Sequence, residues 1–345
     1  GIVFIKSGAA YICGNNSVSN VFIKDSLEYG IQNRNGCPGL IIADSIIENS
    51  TEIGISIEES NVSIIRTFVN GTTSMSLPRG GIVVRNTSTF GGGQLGNIRI
   101  EDVRVMNSSL AGIRIRASNA TIVRTISIDN GENINFDESG TSFVMDSVFM
   151  DSTNANSDVN LSAFASNAPY INRVNVTFIN STFSGFGIST KNRIQLSVNW
   201  WLEVLTQHNS GAPLEGAIIR AIDRNGFERL SDIAGGPYTG PNGKMDKKNL
   251  TEFIYATNSL SVFNNYNVSA NSPGYGSLWR FVNMSTNRFE VFSFDIDTIL
   301  PLISYTSKTA ADEVIVNRDW IFVDVDIVEE NIKNVSLIYI IRAGI

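Results

Sequence analysis

Short apolar runs separated by polar turns recur along the first half of the chain and predict stacked β-strands. Each run alternates apolar with other side chains and ends on a polar residue. Successive copies lie about 22 residues apart where no insertion intervenes, which is the period expected when each repeat forms one coil of a solenoid. The copies occupy residues 20–25, 39–44, 61–66, 97–102, 119–124 and 141–146, with a weaker copy at 170–175. A shorter motif alternates with them at 54–57, 81–84, 112–115, 133–136 and, loosely, 187–190.

The last position of the long motif forms a polar column that supports this register. In chain order the column holds Asp25, Asp44, Arg66, Asp102, Arg124, Asp146 and Asn175. Equivalent side chains of stacked coils lie about 4.8 Å apart, so from Asp44 to Asp146 each charge has neighbours of opposite sign. Such neighbours stabilise adjacent strands, and only the Asp25–Asp44 step breaks the alternation. We therefore predict a ladder of ion pairs along the solenoid.

A second polar column follows about five residues later and predicts a turn. It holds Asn49, Asn107, Asp129, Asp151 and Asn180, with Asn70 one position early. Asn and Asp tolerate left-handed backbone and bond to their own turn. With the coil period, this column resembles the asparagine ladder of the right-handed parallel β-helix superfamily, over residues 1–192. That superfamily includes pectate lyases, periplasmic copper-maturation proteins, phage tailspikes and microbial surface proteins, so the fold implies no single function.

The period is lost after Arg193, where alternating strand patterns separated by turns begin. The segments 194–204, 211–221, 239–244 and 266–275, in this order, resemble the carboxypeptidase regulatory-like β-sandwich, also called Cna B-type or transthyretin-like. Residues 314–327 and 335–341 are similar to early strands of an immunoglobulin-like (Ig-like) sandwich, which needs about 100 residues. The predicted fold is all-β. It comprises a right-handed parallel β-helix at 1–192, a β-sandwich at 193–298 and an incomplete Ig-like sandwich at 299–345.

Composition and charge narrow the classes of function. The formal net charge is -7 and no basic patch is evident, so we expect no nucleic-acid partner. No apolar run is long enough to span a bilayer, so we expect no membrane-spanning segment. About 14 Asn-x-Ser/Thr sequons occur, roughly twice the chance number, which favours a glycoprotein of the extracellular cell surface. Among the sequons that lie outside the polar columns, the glycosylation candidates are Asn86, Asn160, Asn249, Asn267, Asn283 and Asn334.

Few side chains suggest catalysis or a cofactor. His208 is the only histidine and lies in a turn-like segment, which favours a solvated loop position over a catalytic triad. The recurring Asp residues would suit glycan cleavage by two carboxylates, but their periodic placement favours the ladder. The acidic run at 324–330 offers oxygen ligands for Ca²⁺, although its alternation favours a solvated strand face, and no other cofactor is expected. Cys13 and Cys37 lie one coil apart and are candidates for a disulfide.

Three functions remain open. The first is a structural or adhesive module of a surface protein, without enzyme activity, whose solenoid shaft self-associates or binds other surface proteins. The second is a β-helix protein that binds or cleaves polysaccharide, which requires a groove of acidic and aromatic side chains. The third is a viral or phage spike, which would trimerise. The aromatic candidates for stacking on sugars are Trp200, Trp201, Tyr238, Tyr275 and Trp279, with core or edge packing as the alternative role.

Overall fold

The structure is a computed structural model, and the part of the chain that it describes is all-β, as predicted. No helix of this part is long and apolar enough to cross a membrane. Two compact units are present: unit 1 is Gly1–Leu202, Lys248–Asn265 and Asn283–Arg288, and unit 2 is Glu203–Lys247, Tyr266–Val282 and Phe289–Ile345. The described residues are 10–11, 17–33, 39–58, 61–73, 80–85, 96–116, 118–137, 140–153, 158–162, 174–188, 194–230, 238–256, 258–295, 302–305 and 325–328.

Three parallel sheets run along unit 1, and each coil contributes one strand to each sheet. Sheet A contains β1 (Ala10–Tyr11), β4 (Tyr29–Asn33), β7 (Ile53–Glu58), β10 (Gly80–Arg85), β13 (Ala111–Arg116), β16 (Glu132–Asp137), β19 (Val159–Ser162) and β22 (Phe186–Ile188). Sheet B contains β2 (Ser17–Ser19), β5 (Leu40–Ala43), β8 (Val62–Ile65), β11 (Gly96–Glu101), β14 (Ser118–Val123), β17 (Thr141–Met145), β20 (Val174–Ile179) and β23 (Ile194–His208). Sheet C contains β3 (Phe22–Lys24), β6 (Ile46–Glu48), β9 (Phe68–Asn70), β12 (Arg104–Met106), β15 (Ile126–Ile128), β18 (Val148–Met150) and β21 (Thr182–Phe183). Along these sheets each strand pairs with the strand three later, which is the topology of a parallel β-helix and confirms this part of the predicted fold.

Sheet B continues beyond the last parallel strand. β23 pairs in parallel with β20 and, on its other side, antiparallel with β26 (Lys248–Ala256), which in turn pairs with β27 (Ser259–Val262). The structure therefore divides the chain differently from the predicted segments 1–192 and 193–298. Strands that follow residue 193 extend a solenoid sheet, because their backbone groups pair with its edge.

Unit 2 contains a four-stranded antiparallel sheet. Its strand order is β25 (Glu228–Leu230), β24 (Ile218–Ile222), β28 (Tyr266–Ser272) and β29 (Gly276–Val282). A further strand, β30 (Arg288–Phe294), pairs with β23, and β31 (Leu302–Tyr305) pairs antiparallel with β32 (Val325–Val328).

The solenoid core is built from stacked apolar columns. Along sheet B, one column holds Ile42, Ile64, Ile100, Ile122, Val144, Phe178 and Val198, all buried. The last coils have larger core side chains: the ring of Phe178 contacts the rings of Phe136 and Phe149 edge-on, at centroid distances of 6.5 and 6.0 Å. Burial of these columns is the main favourable contribution to folding, since a single coil could not cover its own apolar face.

A column of glycines on sheet A allows this close packing. It holds Gly30, Gly54, Gly81 and Gly112 in register on adjacent strands. A Cβ atom on Gly81 would lie 2.4 Å from Cγ1 of Val105 and 2.7 Å from the carbonyl oxygen of Gly112. The Gly-Ile motif of the sequence therefore marks a place where only glycine fits between neighbouring coils.

Candidate functional site

Two polar columns follow the corners on either side of sheet C, and both consist of residues with left-handed backbone. The φ angles of the non-glycine members lie between 45° and 60°, a region in which Asn and Asp are enriched and Arg is uncommon. The first column holds Asn20, Asp44, Arg66, Asp102, Arg124, Asp146 and Asn180. The second holds Asp25, Asn49, Gly71, Asn107, Asp129 and Asp151.

Three positions of these columns differ from the predicted register. The sequence pattern aligns Asp25 with Asp44, but Asp25 lies in the second column, where Nδ2 of Asn49 donates to its Oδ1 at 3.0 Å. Asn175 pairs with Thr141 near the start of β20, so it belongs to neither column. Asn180, predicted in the second column, follows β20 in the first, and its Nδ2 donates to Oδ1 of Asp146 at 2.5 Å. The strands of sheets B and C have similar patterns about five residues apart, so each corner can be mistaken for the other.

The charged residues of the first column form two bidentate ion pairs. Nε and Nη2 of Arg66 donate to the two carboxylate oxygens of Asp44 at 2.6 and 2.8 Å, and Arg124 binds Asp102 in the same way at 2.7 and 2.9 Å. These hydrogen bonds lower the pKa of Asp44 and of Asp102. The Arg side chains remain 57% and 49% exposed, so water and salt screen both pairs and the column is a solvated surface feature.

A buried ion pair lies on the outer side of sheet A, where no sequence pattern indicates one. Nη2 of Arg114 donates to Oδ2 of Asp137 at 2.7 Å, and the hydroxyl of Ser162 donates to Oδ1 of Asp137 at 3.0 Å. Asp137 is 0% exposed and Arg114 is 7% exposed. Arg114 lies in one copy of the short motif and Asp137 directly follows the next copy, but the motif does not reveal that both faces of sheet A are buried. The carboxylate is neutralised by its partner, so we assign the pair a structural role.

A second buried carboxylate, that of Asp158, lies in the coils that follow the glycine column. Asn133 and Asp158 occupy the positions that continue the column, and Nδ2 of Asn133 donates to Oδ1 of Asp158 at 2.8 Å. Burial acts to raise the pKa of Asp158. Hydrogen bonds from the hydroxyl and backbone N–H of Ser184, with those from Ser152 and Asn133, outweigh it and hold the pKa below the ordinary value. Both of its carboxylate oxygens are thus engaged within the protein.

A cavity of about 760 Å³ lies where the solenoid ends, beside β21, β22, β23 and β26. In the last coil, Phe183 and Phe186 occupy the interior positions that Phe149 and Val159 occupy in the coil before it. Among the described strands, no further coil packs against Phe183 and Phe186. Phe186 instead stacks on Phe253 of β26, with a centroid distance of 6.0 Å and an interplanar angle of 23°. The cavity therefore has an aromatic wall because the repeat stops.

A bulge in β26 turns a carboxylate towards this cavity. Val198 pairs with Phe253 and Asn199 with Thr251, which leaves Glu252 as the extra residue between them. The carbonyl oxygen of Glu252 accepts hydrogen bonds from the backbone N–H groups of Phe263 and Asn264 at 2.9 and 3.2 Å. Its carboxylate accepts a hydrogen bond from the indole Nε1 of Trp200 at 2.7 Å. One carboxylate oxygen is thereby held in place beside the ring of Trp200.

The rest of the cavity is lined mainly by uncharged polar groups. Nδ2 of Asn287 donates to Oδ1 of Asn180 at 2.7 Å, and Oδ1 of Asn287 accepts from the backbone N–H of Trp201 at 2.9 Å. Hydroxyls of Thr182, Ser285 and other lining residues add donors and acceptors. Glu252 is the one ionisable side chain among the described residues of the lining. Aromatic faces with a few convergent polar groups are typical of small-molecule sites, whereas glycoside hydrolysis needs two carboxylates.

The other predicted aromatic residues and His208 are not among the described residues that line this cavity. The sequence favours a solvated loop for His208, but His208 ends β23, is half-buried and contacts Tyr275 at a centroid distance of 4.9 Å. Trp279 is 62% exposed on β29, and Tyr238 is also exposed. Of the five predicted aromatic residues, Trp200 lines the cavity.

The predicted modification sites are spread over the chain. Asn249 is exposed on β26 opposite Trp201, and Asn283 is exposed while its Oδ1 accepts from Nδ2 of Asn264 at 2.6 Å. Asn160 and Asn267 are half-buried, and Nδ2 of Asn160 donates to Glu132 at 2.8 Å. Outside the described residues lie Cys13, Cys37, Asn86 and Asn334.

No metal centre is visible in the described residues. Three or more His, Cys, Asp or Glu side chains do not meet there in an arrangement that could hold an ion. Of the acidic run proposed for Ca²⁺, this part of the chain includes only β32, so the Ca²⁺ hypothesis stays a prediction.

Comparison with known proteins finds similarity to solved structures at low sequence identity. No protein-family model and no curated protein matches the chain. Among solved structures, the A-module of mannuronan C-5 epimerase AlgE4 from Azotobacter vinelandii is similar at 16% identity over 51% of this chain and 49% of that chain, with a TM-score of 0.40. Pectate lyase Pel9A is similar at 12% identity over 55% and 68% of the two chains, with a TM-score of 0.30. Tailspike protein 2 of Escherichia coli O157:H7 bacteriophage CAB120 is similar at 15% identity over 76% and 50%, with a TM-score of 0.31.

The likeness concerns architecture only. The alignment spans about half the length of the epimerase module and of the tailspike. At these identities and TM-scores no activity or residue role is transferred from those proteins, and the parallel β-helix of this chain is assigned from its own strand pairing.

Proposed function

We propose that this chain is a carbohydrate-binding, adhesive module of an extracellular surface protein, and that the cavity beside Trp200 and Glu252 holds the sugar. The observation that carries the proposal is the bulge at Glu252, which sets a carboxylate against an indole N–H within an aromatic-walled cavity. Aromatic faces accept the C–H side of a sugar ring, and carboxylate and amide oxygens accept its hydroxyl hydrogens. A volume of about 760 Å³ lies within the range of small-molecule sites, about 300–1,000 Å³.

Binding without cleavage is the form of this proposal that the cavity supports. Glu252 has no second carboxylate beside it among the described lining residues, and it is already bound to Trp200. A glycoside hydrolase would need two carboxyl groups, an acid and a base or nucleophile, at a defined separation. Incubation of the protein with polysaccharides followed by product analysis tests this point. Release of shorter or unsaturated products would replace the adhesive hypothesis with an enzymatic one.

The wider setting belongs to the same proposal. The solenoid acts as a rigid shaft that presents the sugar site, and it self-associates or contacts other surface proteins. In this proposal the four-stranded sheet of unit 2 forms part of a Cna B-type β-sandwich and the antiparallel β31–β32 pair forms part of an Ig-like module. Glycans on exposed sequons such as Asn249 and Asn283 would mark an extracellular location. Intact mass, glycopeptide mapping and electron microscopy of the native material test these points, and an isolated trimeric spike would contradict the shaft hypothesis.

Titration with a panel of oligosaccharides tests the sugar site directly. Because Trp200 lines the cavity, binding should change the intrinsic tryptophan fluorescence, and calorimetry should give the same Kd. Trp200→Ala should weaken binding at least tenfold, since it removes both the stacking face and the donor to Glu252. Trp279→Ala is the matched control, because this exposed tryptophan lies outside the cavity lining. Equal loss in both variants, or no binding by the unmodified chain, would refute the proposal.

A further inference from the structure

We infer that the cavity selects sugars that carry a protonated amine. This inference rests on the proposed function and specifies the class of its ligand. It follows from the charge of the lining, where the Glu252 carboxylate faces aromatic rings, hydroxyls and amides and no described lining residue is cationic.

The Glu252 carboxylate is held in place but its charge is not neutralised. Its Oε2 accepts from the neutral indole N–H of Trp200, and no ion pair of Glu252 forms among the described residues. The ion pairs elsewhere show the contrast, since Glu101 and Asp137 each lie against an Arg. A half-buried carboxylate without a cationic partner favours a ligand that brings the cation with it.

The aromatic wall favours the same ligand. A cation over the face of a Trp or Phe ring is attracted by the electrons of that ring, and the attraction grows as water is excluded. Trp200 and Phe253 both line the cavity next to Glu252, so an ammonium group could meet the carboxylate and a ring face together. A uronic acid would instead bring its carboxylate towards Glu252, and the two like charges would repel.

Three tetrasaccharides of similar size separate these classes: β-1,4-linked glucosamine, its N-acetylated form and galacturonate. Calorimetry in low salt and at mildly acidic pH, where the sugar amine is protonated, should give affinity for glucosamine about tenfold above that for the N-acetylated form. Galacturonate should be the weakest of the three. Higher salt should reduce the preference for the amine, because counterions screen charge attraction.

Glu252→Gln is the decisive variant, because a glutamine Oε1 can still accept from the indole of Trp200 while the charge is lost. The preference for glucosamine should disappear, so that the ratio of the two affinities measured in this variant falls to about one. Glu215→Gln, an exposed glutamate outside the cavity, is the matched control and should leave the preference unchanged. Equal affinity for both sugars in the unmodified protein, or a preference that survives in Glu252→Gln, would overturn the inference. In either case the proposed function would stand, whereas absence of binding by all three sugars and by the wider panel would count against the function itself.

Discussion

Replacement of Asp137 by Asn tests whether the outer side of sheet A is as dry as the structure indicates. The Asp137 carboxylate is fully buried, accepts hydrogen bonds from Arg114 and Ser162 at 2.7 and 3.0 Å, and lies 3.7 Å from Nε of Arg116. Asn has almost the same volume, so the substitution removes the charge with little loss of packing. Arg114 would then remain buried without its counter-charge.

The expected loss is large for a single isosteric change. Removal of one partner of a buried ion pair costs about 3–5 kcal/mol, because the remaining charge is desolvated and unpaired. Asp102→Asn is the matched control: that carboxylate also binds an Arg through two hydrogen bonds, but its side chain is 38% exposed. Water can replace the lost partner there, so the change in unfolding free energy should be a small fraction of that for Asp137→Asn.

Urea unfolding followed by circular dichroism measures both losses. Solenoids can unfold in parts, so the dependence of the unfolding free energy on urea concentration is first compared among the variants and the unmodified protein. Equal values show that the same part of the chain unfolds in each protein, and the free energies can then be compared. Arg114→Met in the Asp137→Asn background should recover much of the lost stability, since the unpaired charge is removed. A loss in Asp137→Asn no greater than that in Asp102→Asn, or no recovery in the double variant, would refute the argument that burial makes this pair important.

Three further outcomes are expected. The hydrogen bonds from Ser184, Ser152 and Asn133 outweigh the effect of burial and hold the pKa of Asp158 in the folded state below its ordinary value of 3.8. The ionised Asp158 carboxylate therefore stabilises the fold above pH 3.8, and this stabilisation is lost as the pH falls through the folded-state pKa. Asp158→Asn should therefore flatten the fall in stability below about pH 4, and an unchanged acid-unfolding curve would contradict this assignment. Gly81→Ala should destabilise the solenoid by about 1–3 kcal/mol in thermal unfolding, because the new Cβ would overlap atoms of a neighbouring coil. Gly226→Ala is the comparison: Gly226 has a left-handed backbone but open space around it, so its loss of stability measures the backbone strain without any steric overlap. Arg124→Gln should lower stability measurably only in dilute buffer, since Arg124 and its partner Asp102 are 49% and 38% exposed and about 1 M salt shortens the screening length to about 3 Å. An effect that persists in high salt would show that this pair is not screened.

The parts of the fold that repeat are predictable from the sequence, and the parts that occur once are not. Asp44 and Arg66, and likewise Asp102 and Arg124, align by a spacing of 22 residues, and the repeated motif joins the two pairs across the insertion between them, because each coil repeats the same backbone geometry. The same spacing assigns Asp25 to the wrong corner, because two strands of one coil have nearly the same pattern. The candidate cavity lies where the repeat ends, and no periodicity indicates which side chains meet there.

Glu252 shows this limit most clearly. In the sequence it is one glutamate in an alternating strand, and only the pairing of β26 with β23 makes it the extra residue of a bulge and brings it to Trp200. Arg114 and Asp137 are likewise ordinary residues in or beside a repeated motif until both faces of sheet A are covered. By itself, the sequence determined the all-β class, the coil period and the polar corners, because these depend on local backbone preference and on contacts repeated at one spacing. The tertiary structure alone decided which charges are buried and which side chains form the cavity, because burial and bulges depend on segments that are distant in the chain.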